Sequence, residues 1–299
     1  MTERSGMGDN MKNSFFSLPD NRRIPIINKA MHAFSQYSYK KSPMNENKAE
    51  SRGSISVIIP AHNEEKYVAR CIRSVKAAAK YYGGNVEIIV VCNRCTDRTA
   101  EIADKHGSRV IFNEDRCIAK VRNAGIFNAA GDIIVTIDCD NRMTKGTLKE
   151  IAHLLNTGKY IGGGAPIRFE RYSFPLYLND LLCRVSFAAT GLYCGIFWAE
   201  KKTFEAVGGF VEKKAMEDAA TAKALKAYGK RKGKKYGVLR KNVLINSTRK
   251  YDDMGDWLYL KLMLSNISTF IKAAFGDRSG LDKILDELFY DYNDNRGKT

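Results

Sequence analysis

From Ser54 onward the apolar positions fall into two alternating rhythms. Ser54 to Pro60 (SISVIIP) is a short β-branched run closed by proline, the pattern of a buried parallel strand. Asn63 then stands where a helix cap is expected, with Glu64 and Glu65 in the first turn. Val68, Cys71, Ile72 and Val75 follow at i, i+3, i+4, i+7 spacing, one face of a helix. Val86 to Val91 predicts the next strand, and Thr96 or Asp97 the cap of a second helix. Arg109 to Phe112 predicts a third strand, Ile118 to Ala130 a helix, and Asp132 to Asp138 (DIIVTID) a fourth strand. Leu148, Ile151 and Leu155 mark the helix after it.

The second half is less regular. Strands are expected near Ile161 to Phe169, Tyr193 to Ala199 and Gly237 to Asn246, and helices over Ala215 to Tyr228 and Trp257 to Phe275. A last helix has its apolar face at Leu281, Ile284, Leu285 and Leu288. Alternating strands and helices with short connections define an α/β fold, a mostly parallel sheet with helices on both faces and C-terminal helices added. Residues 1–53 lack periodicity and are rich in Ser, Asn, Lys and Arg; they are read as a disordered leader with one short helix around Ile27 to Phe34. The organisation is then leader 1–53, main domain 54–251 and helical extension 252–299.

No run of about 20 apolar residues occurs, so no membrane span is expected. Met1 to Asn10 lacks the apolar core of a secretory signal, and a cytoplasmic location follows. Seven cysteines, an odd number scattered through apolar segments, argue for reduced thiols. The formal charge of +16 calls for an anionic partner. The excess gathers in Lys226 to Lys241, which is either a solvated basic loop or a contact for anionic lipid headgroups on the inner face of a membrane. Nucleic acid ranks third and is not expected, because no recognised binding motif accompanies the charge.

Ligands of such sheets bind outside the carboxyl ends of the strands. The residues just after each strand therefore carry the chemistry. Asp138-Cys139-Asp140 places two carboxylates at the end of a buried strand, where an extended chain would turn both to one side. Such a pair suits Mn²⁺ or Mg²⁺, which take oxygen ligands and bridge carboxylates to substrate phosphates; its plain alternative is a solvated turn. Pro60, Ala61, His62, Asn63 and Glu64 follow the first strand, where a base or ribose could be recognised, although the two glutamates would repel a phosphate.

After the second strand comes Cys92-Asn93-Arg94-Cys95-Thr96-Asp97. Asn93 and Asp97 serve either a nucleoside or the local turn and cap. A thioredoxin-like role for the two cysteines sits badly with so large a domain and so acidic an edge, and no second pair follows for zinc. Arg122 is either a surface charge or the partner of a diphosphate. The Gly162-Gly163-Gly164 run allows close approach of a ligand or a bulge. Glu217 and Asp218 open a helix, where acids are favoured by the dipole; the functional alternative is a general base for a hydroxyl nucleophile.

These stations, in this order, resemble the family 2 glycosyltransferases, which have the Rossmann-like GT-A fold. The likeness runs from Ser54 to Tyr251 on SVIIPAHNEE at 56–65, NRCTDRT at 93–99, KVRNAG at 120–125, GDIIVTIDCD at 131–140 and MED at 216–218. The resemblance implies an inverting transfer of a sugar from a nucleotide-diphosphate sugar donor to a hydroxyl-bearing acceptor (a glycan, a lipid-linked or a small molecule), with Mn²⁺ or Mg²⁺. It places the Pro60 to Glu64 loop, Asn93, Asp97, Arg122 and Asp138 on the nucleotide. Asp140, with Asp138, falls on the metal, Asp218 on the catalytic base, and Glu217 on the acid that positions donor or acceptor.

Two departures stand out. The Cys92 loop replaces the family's Asp-Asp-Gly-Ser type and leaves the donor base open. No Gln-x-x-Arg-Trp segment is present, Gln36 being the lone glutamine, which argues for single addition. The apolar, aromatic stretch Phe174 to Trp198 would cover the acceptor, touch a membrane surface, or form a core helix and strand. The rival readings are a nucleotidyltransferase, which would need a Gly-rich loop after the first strand, and a non-catalytic nucleotide-sugar binder or basic membrane adaptor, which would need no general base.

Overall fold

The computed structural model describes residues 53–213 and 217–265. The expected leader and the helix at Leu281 to Leu288 lie outside the described residues. Strands β1 (Ile55–Ala61), β2 (Val86–Asn93), β3 (Arg109–Asn113) and β4 (Ile133–Thr136) run parallel in the order β3-β2-β1-β4. The sheet continues through β8 (Phe197–Glu200), antiparallel to both neighbours, to β6 (Tyr160–Gly164) and its parallel partner β9 (Lys235–Val238). A small second sheet joins β5 (Arg142–Met143), β10 (Leu244–Asn246) and β7 (Ile167–Phe169).

β1 is buried at all seven positions because helices cover both faces of the sheet. On one face α1 (Val68–Tyr82), α2 (Thr99–Lys105) and α4 (Thr147–Asn156) deliver Ile72, Val75, Ala103, Leu148 and Ile151 to a core with Val57, Val90 and Trp198. On the other, α3 (Ile118–Phe127), α6 (Lys201–Val207) and α7 (Glu217–Arg231) bury Val121, Ile126, Phe204 and Leu225 against Ile58, Ile89 and Phe197. The glycine run forms β6, with a register shift between Tyr160 and Gly162, and Trp198 donates its indole N–H to Gly164 O at 3.1 Å. Of the two readings of that run, the bulge is the one seen.

Three expectations are corrected. Asn63 does not cap α1: its backbone is left-handed (φ 52°), which stops a helix there, and α1 starts at Val68 after a turn closed on Glu64 O. The stretch Lys226 to Lys241 is no loop but the end of α7, a turn and the edge strand β9. In α5 (Phe174–Thr190) only the first half packs inward; Leu181, Leu182 and Val185 are exposed, so the reading of this stretch as a core helix fails for its second half. Two short helices, α8 (Arg249–Met254) and α9 (Leu258–Ser265), end the described chain, and the expected division after Tyr251 falls inside α8. Among the described residues no helix is long and apolar enough to cross a membrane.

Candidate functional site

The carboxyl ends of β1 and β2 are stitched into one seam. His62 Nδ1 lies 2.6 Å from Asn93 O, and Asn63 Oδ1 accepts from the Thr96 N–H at 2.8 Å. Glu64 N–H donates to Thr99 Oγ1 at 2.8 Å, and Glu65 N–H to Asp97 Oδ2 at 3.0 Å. Asp97 Oδ1 also accepts the Thr99 N–H at 3.0 Å, an Asx turn just ahead of α2; the cap position expected at Thr96 or Asp97 is taken by Arg98, which makes no side-chain cap bond. The Asn93 amide is buried and donates to Asn113 O (3.0 Å) and Asp115 O (2.8 Å), tying β2 to the chain leaving β3. Asn93 and Asp97 thus hold the turns of this edge together. Pro60 and Ala61 are buried within β1, beneath the seam.

Next to the seam, β4 ends at Thr136 and Asp138 to Asn141 closes a tight turn, with Asn141 N–H donating to Asp138 O at 3.0 Å. The expected extended geometry is therefore corrected: the chain turns as soon as it leaves the sheet. Cys139 is buried in the core while the carboxylates on either side stay out of it. Each meets a different arginine, Asp138 with Arg122 at 2.8 Å and Asp140 with Arg249 at 2.9 Å.

Arg122 is not a surface charge. It is 5% exposed, on α3, with its guanidinium 5.0 Å from the Phe210 ring. Nη2 binds Asp138 while Nη1 binds both Glu217 and Asp218 at 3.0 Å. Burial alone would lower its pKa, but Asp218, Asp138 and Glu217 together hold it above the ordinary value. The same grouping acts on Asp218. Burial, reinforced by Glu217 and Asp138 against the pull of Arg122, pushes its carboxyl up to about 7. The Asp218 side chain keeps a third of its surface exposed.

The second hub was not legible in the sequence. Arg249 binds Asp140 and also the buried Glu64 (2.6 Å), and Tyr67 lies against both Arg249 (5.1 Å to the ring) and Arg70 (4.7 Å). Arg70 donates to Asp140 O at 2.7 Å. Burial raises the Asp140 pKa against the pull of Arg249, and lowers that of neighbouring Lys250 to about 8. Ser247-Thr248-Arg249-Lys250 has no motif and no periodicity; the one cue was a basic pair after a predicted strand.

Among the described residues no three His, Cys, Asp or Glu side chains converge on a metal-sized space. Asp138 and Asp140 supply oxygen donors, which fits a small hard cation completed by water and phosphate oxygens rather than a protein cage. The expected site residues thus gather at one sheet edge: Asp138, Glu217, Asp218 and Arg122 in one cluster, Asp140 and Glu64 in an adjoining one, and Asn63, Asn93 and Asp97 in the seam.

A sheet with this strand order and an acidic turn after β4 defines a nucleotide-sugar transferase fold of the GT-A type. The sequence pattern of glycosyl transferase family 2 matches residues 56–205, and the chain belongs to that family of glycosyltransferases. It is 28% identical over 107 residues to the poly(ribitol-phosphate) beta-N-acetylglucosaminyltransferase TarS of Staphylococcus aureus, a stretch covering 34% of this chain and 18% of TarS. The TarS 1-349 crystal structure in complex with UDP-GlcNAc superposes with a TM-score of 0.52 at 20% identity, covering 65% of this chain and 58% of that one. The undecaprenyl-phosphate 4-deoxy-4-formamido-L-arabinose transferase of Pectobacterium carotovorum is 33% identical over 94 residues, 29% of each chain. The mannosyltransferase PcManGT of Pyrobaculum calidifontis, solved with GDP-Man and Mn²⁺, has a TM-score of 0.53 at 18% identity, covering 74% of this chain and 64% of that one.

Proposed function

We propose that the protein is an inverting glycosyltransferase that moves one sugar from a nucleotide-diphosphate sugar to a hydroxyl acceptor, in the making of a glycan or cell-envelope glycoconjugate. The observation carrying this reading is the Arg122 cluster. One buried fork joins Asp138, from the acidic turn, to Glu217 and Asp218, from the start of α7. A binding module has no need of a carboxyl raised by burial beside the acidic turn that ends β4.

Asp218 is the general base. As the acceptor oxygen attacks the anomeric carbon from the face opposite the diphosphate, Asp218 takes its proton. A base with a pKa near the working pH is the efficient choice for that step. Glu217 shares Arg122 with it and orients donor or acceptor. The positive charge between Asp138 and Asp218 keeps three carboxylates together that would otherwise repel one another. The 62–64 turn with Asn93 and Asp97 forms the wall for the nucleoside, with Pro60 and Ala61 supporting it from the end of β1. Asp138 and Asp140 would hold Mn²⁺ or Mg²⁺, and such an ion supplies charge stabilisation for a leaving diphosphate. Support for these assignments comes from the family match, from solved relatives holding UDP-GlcNAc or GDP-Man with Mn²⁺, and from the oxygen-only donor set.

An anionic membrane surface is the proposed cellular setting. The exposed Leu181, Leu182 and Val185 lie on α5, whose end is bound by α7: Lys226 Nζ donates to Thr190 O at 3.0 Å. An apolar helix face thus adjoins the basic stretch that continues to Lys241. The reading is tested by calorimetry and donor hydrolysis with UDP-, GDP- and dTDP-sugars, with and without Mn²⁺. One nucleotide class should bind more tightly with metal and be slowly hydrolysed; no metal-assisted binding of any nucleotide would sink it.

A further inference from the structure

The function proposed above leaves one motif unused. Cys92, near the end of β2, and Cys95, in the loop beyond it, are free thiols that share one core cluster, Cys92 within it and Cys95 packed against it. The residue between them that makes the turn, Arg94, has φ 49°. Cys95 is partly exposed, whereas Cys92 is fully buried. Cys95 also touches the end of β1, its Sγ lying 3.4 Å from Ala61 O. It therefore sits on the seam formed by the Asn63–Thr96 and Glu65–Asp97 hydrogen bonds.

We propose that Cys92 and Cys95 form a redox-modification site, closed to a disulfide by a low-molecular-weight disulfide, and that closure loosens the seam between residues 61–65 and 93–97.

The chemistry divides between an attacking and a resolving thiol. Coupling to Cys92 holds the Cys95 pKa below the ordinary thiol value, which favours its thiolate, the nucleophilic form. Cys92 moves the opposite way, its proton held by the neighbouring Cys95 and by burial. Cys71, Cys139, Cys183 and Cys194 are all raised by burial, which leaves them poor nucleophiles. The Cys95 thiolate attacks one sulfur of the oxidant and expels one thiolate. Cys92 then loses its proton to water and attacks Cys95 Sγ, expelling the second. Two protein thiols give up two electrons, and the oxidant disulfide leaves as two thiols.

Closure brings the sulfurs to about 2.05 Å, ends the contact of Cys95 Sγ with Ala61 O, and draws residues 94–97 toward β2. The Thr96 and Glu65 amide contacts are strained by the same movement. If the seam is the nucleoside wall, a step that rests on the proposed function, nucleotide affinity falls with it.

The test uses the full chain with glutathione disulfide as probe. Differential alkylation and peptide mapping should show residues 92–95 losing two free thiols and two hydrogens, reversed by dithiothreitol. Cys92→Ser should stop at a glutathione adduct on Cys95, and Cys95→Ser should leave Cys92 unmodified. Hydrogen exchange at the Glu65 and Thr96 amides should quicken severalfold in the oxidised wild type alone. Thiols that stay alkylatable, a bond to any other cysteine, or a disulfide with unchanged exchange would each overturn the proposal. These readouts involve no donor. Nucleotide calorimetry on both redox forms is a separate arm: binding in neither form counts against the glycosyltransferase reading and leaves the thiol result standing.

Discussion

Arg122 and Asp218 lie 96 positions apart in the chain and meet at 3.0 Å in the fold. The contact joins the helix before the acidic turn to the helix that carries the proposed base. Because the guanidinium is planar with several fixed donors, it reaches Asp138 on one nitrogen and both α7 acids on the other. A lysine ammonium is a single point and does not reproduce that span. Arg122→Lys is expected to keep the fold, lower kcat at least tenfold and leave KM for the donor less affected. Arg122→Ala leaves three acids facing one another, and a loss of about 3 kcal/mol is expected, the low end for a broken buried pair because Asp138 and Asp218 are partly exposed. Thermal melts and steady-state kinetics of the two variants check both statements.

A base with a raised pKa leaves a signature in pH. Asp218 must be ionised to accept a proton, so kcat/KM is expected to rise with pH up to about 7 and then level off. Asp218→Asn should retain donor binding while transfer drops roughly 10²- to 10⁴-fold, the usual worth of a general base, and the acid limb should vanish with it. An unchanged pH profile in this variant would remove Asp218 from that role.

Much of the first half of the fold was legible because β1, β2 and β4 are buried on both faces and its helices carry one apolar stripe. Val57 to Ile59 and Ile133 to Val135 could be little else than core strands. The gathering of acids at one edge followed from the rule that ligands sit beyond strand ends. Three things escaped. Asn63 looked like a cap because Asn favours caps and left-handed turns alike, and only the partner, Thr96, decides between them. Arg122 looked like a surface charge or a ligand contact because a single sequence says nothing about which acids lie across the fold from it. Arg249 had no local cue, since its partners Glu64 and Asp140 are 185 and 109 positions away (249 − 64 and 249 − 140). Local pattern reports burial and period; charge pairing between distant segments leaves no trace in it.

Asp140 supplies a test of the metal. Its carboxylate is held by Arg249 at 2.9 Å, and a cation bound there has to compete with that arginine. Mn²⁺ is therefore expected to bind weakly alone and more tightly once a nucleotide diphosphate adds its own oxygens. Titration calorimetry should show this dependence in the wild type and its loss in Asp140→Ala. Chelation with EDTA should abolish transfer, and added Mn²⁺ should restore it. Equal nucleotide affinity with and without Mn²⁺ would count against Asp138 and Asp140 as ligands.

The membrane setting has its own measurement. Co-sedimentation with vesicles rich in phosphatidylglycerol should exceed that with phosphatidylcholine alone and should fall as salt rises. Removing the exposed charges Lys230, Arg231 and Lys232 together should weaken binding by up to about 3 kcal/mol, near 1 kcal/mol for each charge. Val185→Glu, on the exposed half of α5, should weaken it without lowering the melting temperature. Equal binding to both vesicle types would leave the basic stretch a solvated surface.

The last expectation ties core packing to the site. Gly125 lies on α3 three residues after Arg122, and a Cβ there would overlap Ile58 Cγ2 and sit 2.9 Å from Val91 Cγ2. Both neighbours are fully buried, so neither has room to yield. Gly125→Ala would ordinarily favour a helix, but overpacking here should outweigh that and cost about 1–3 kcal/mol. The strain has one easy release, a shift of α3 away from β1 and β2. Such a shift carries Arg122 with it and lengthens its contacts to Asp138 and Asp218. The variant should therefore lose activity at temperatures where it is still fully folded, with kcat falling before the thermal transition begins. If melting temperature and kcat stay at wild-type values, α3 is not packed as closely on β1 as the Gly125 contact requires, and the fixed position of Arg122 loses its structural basis.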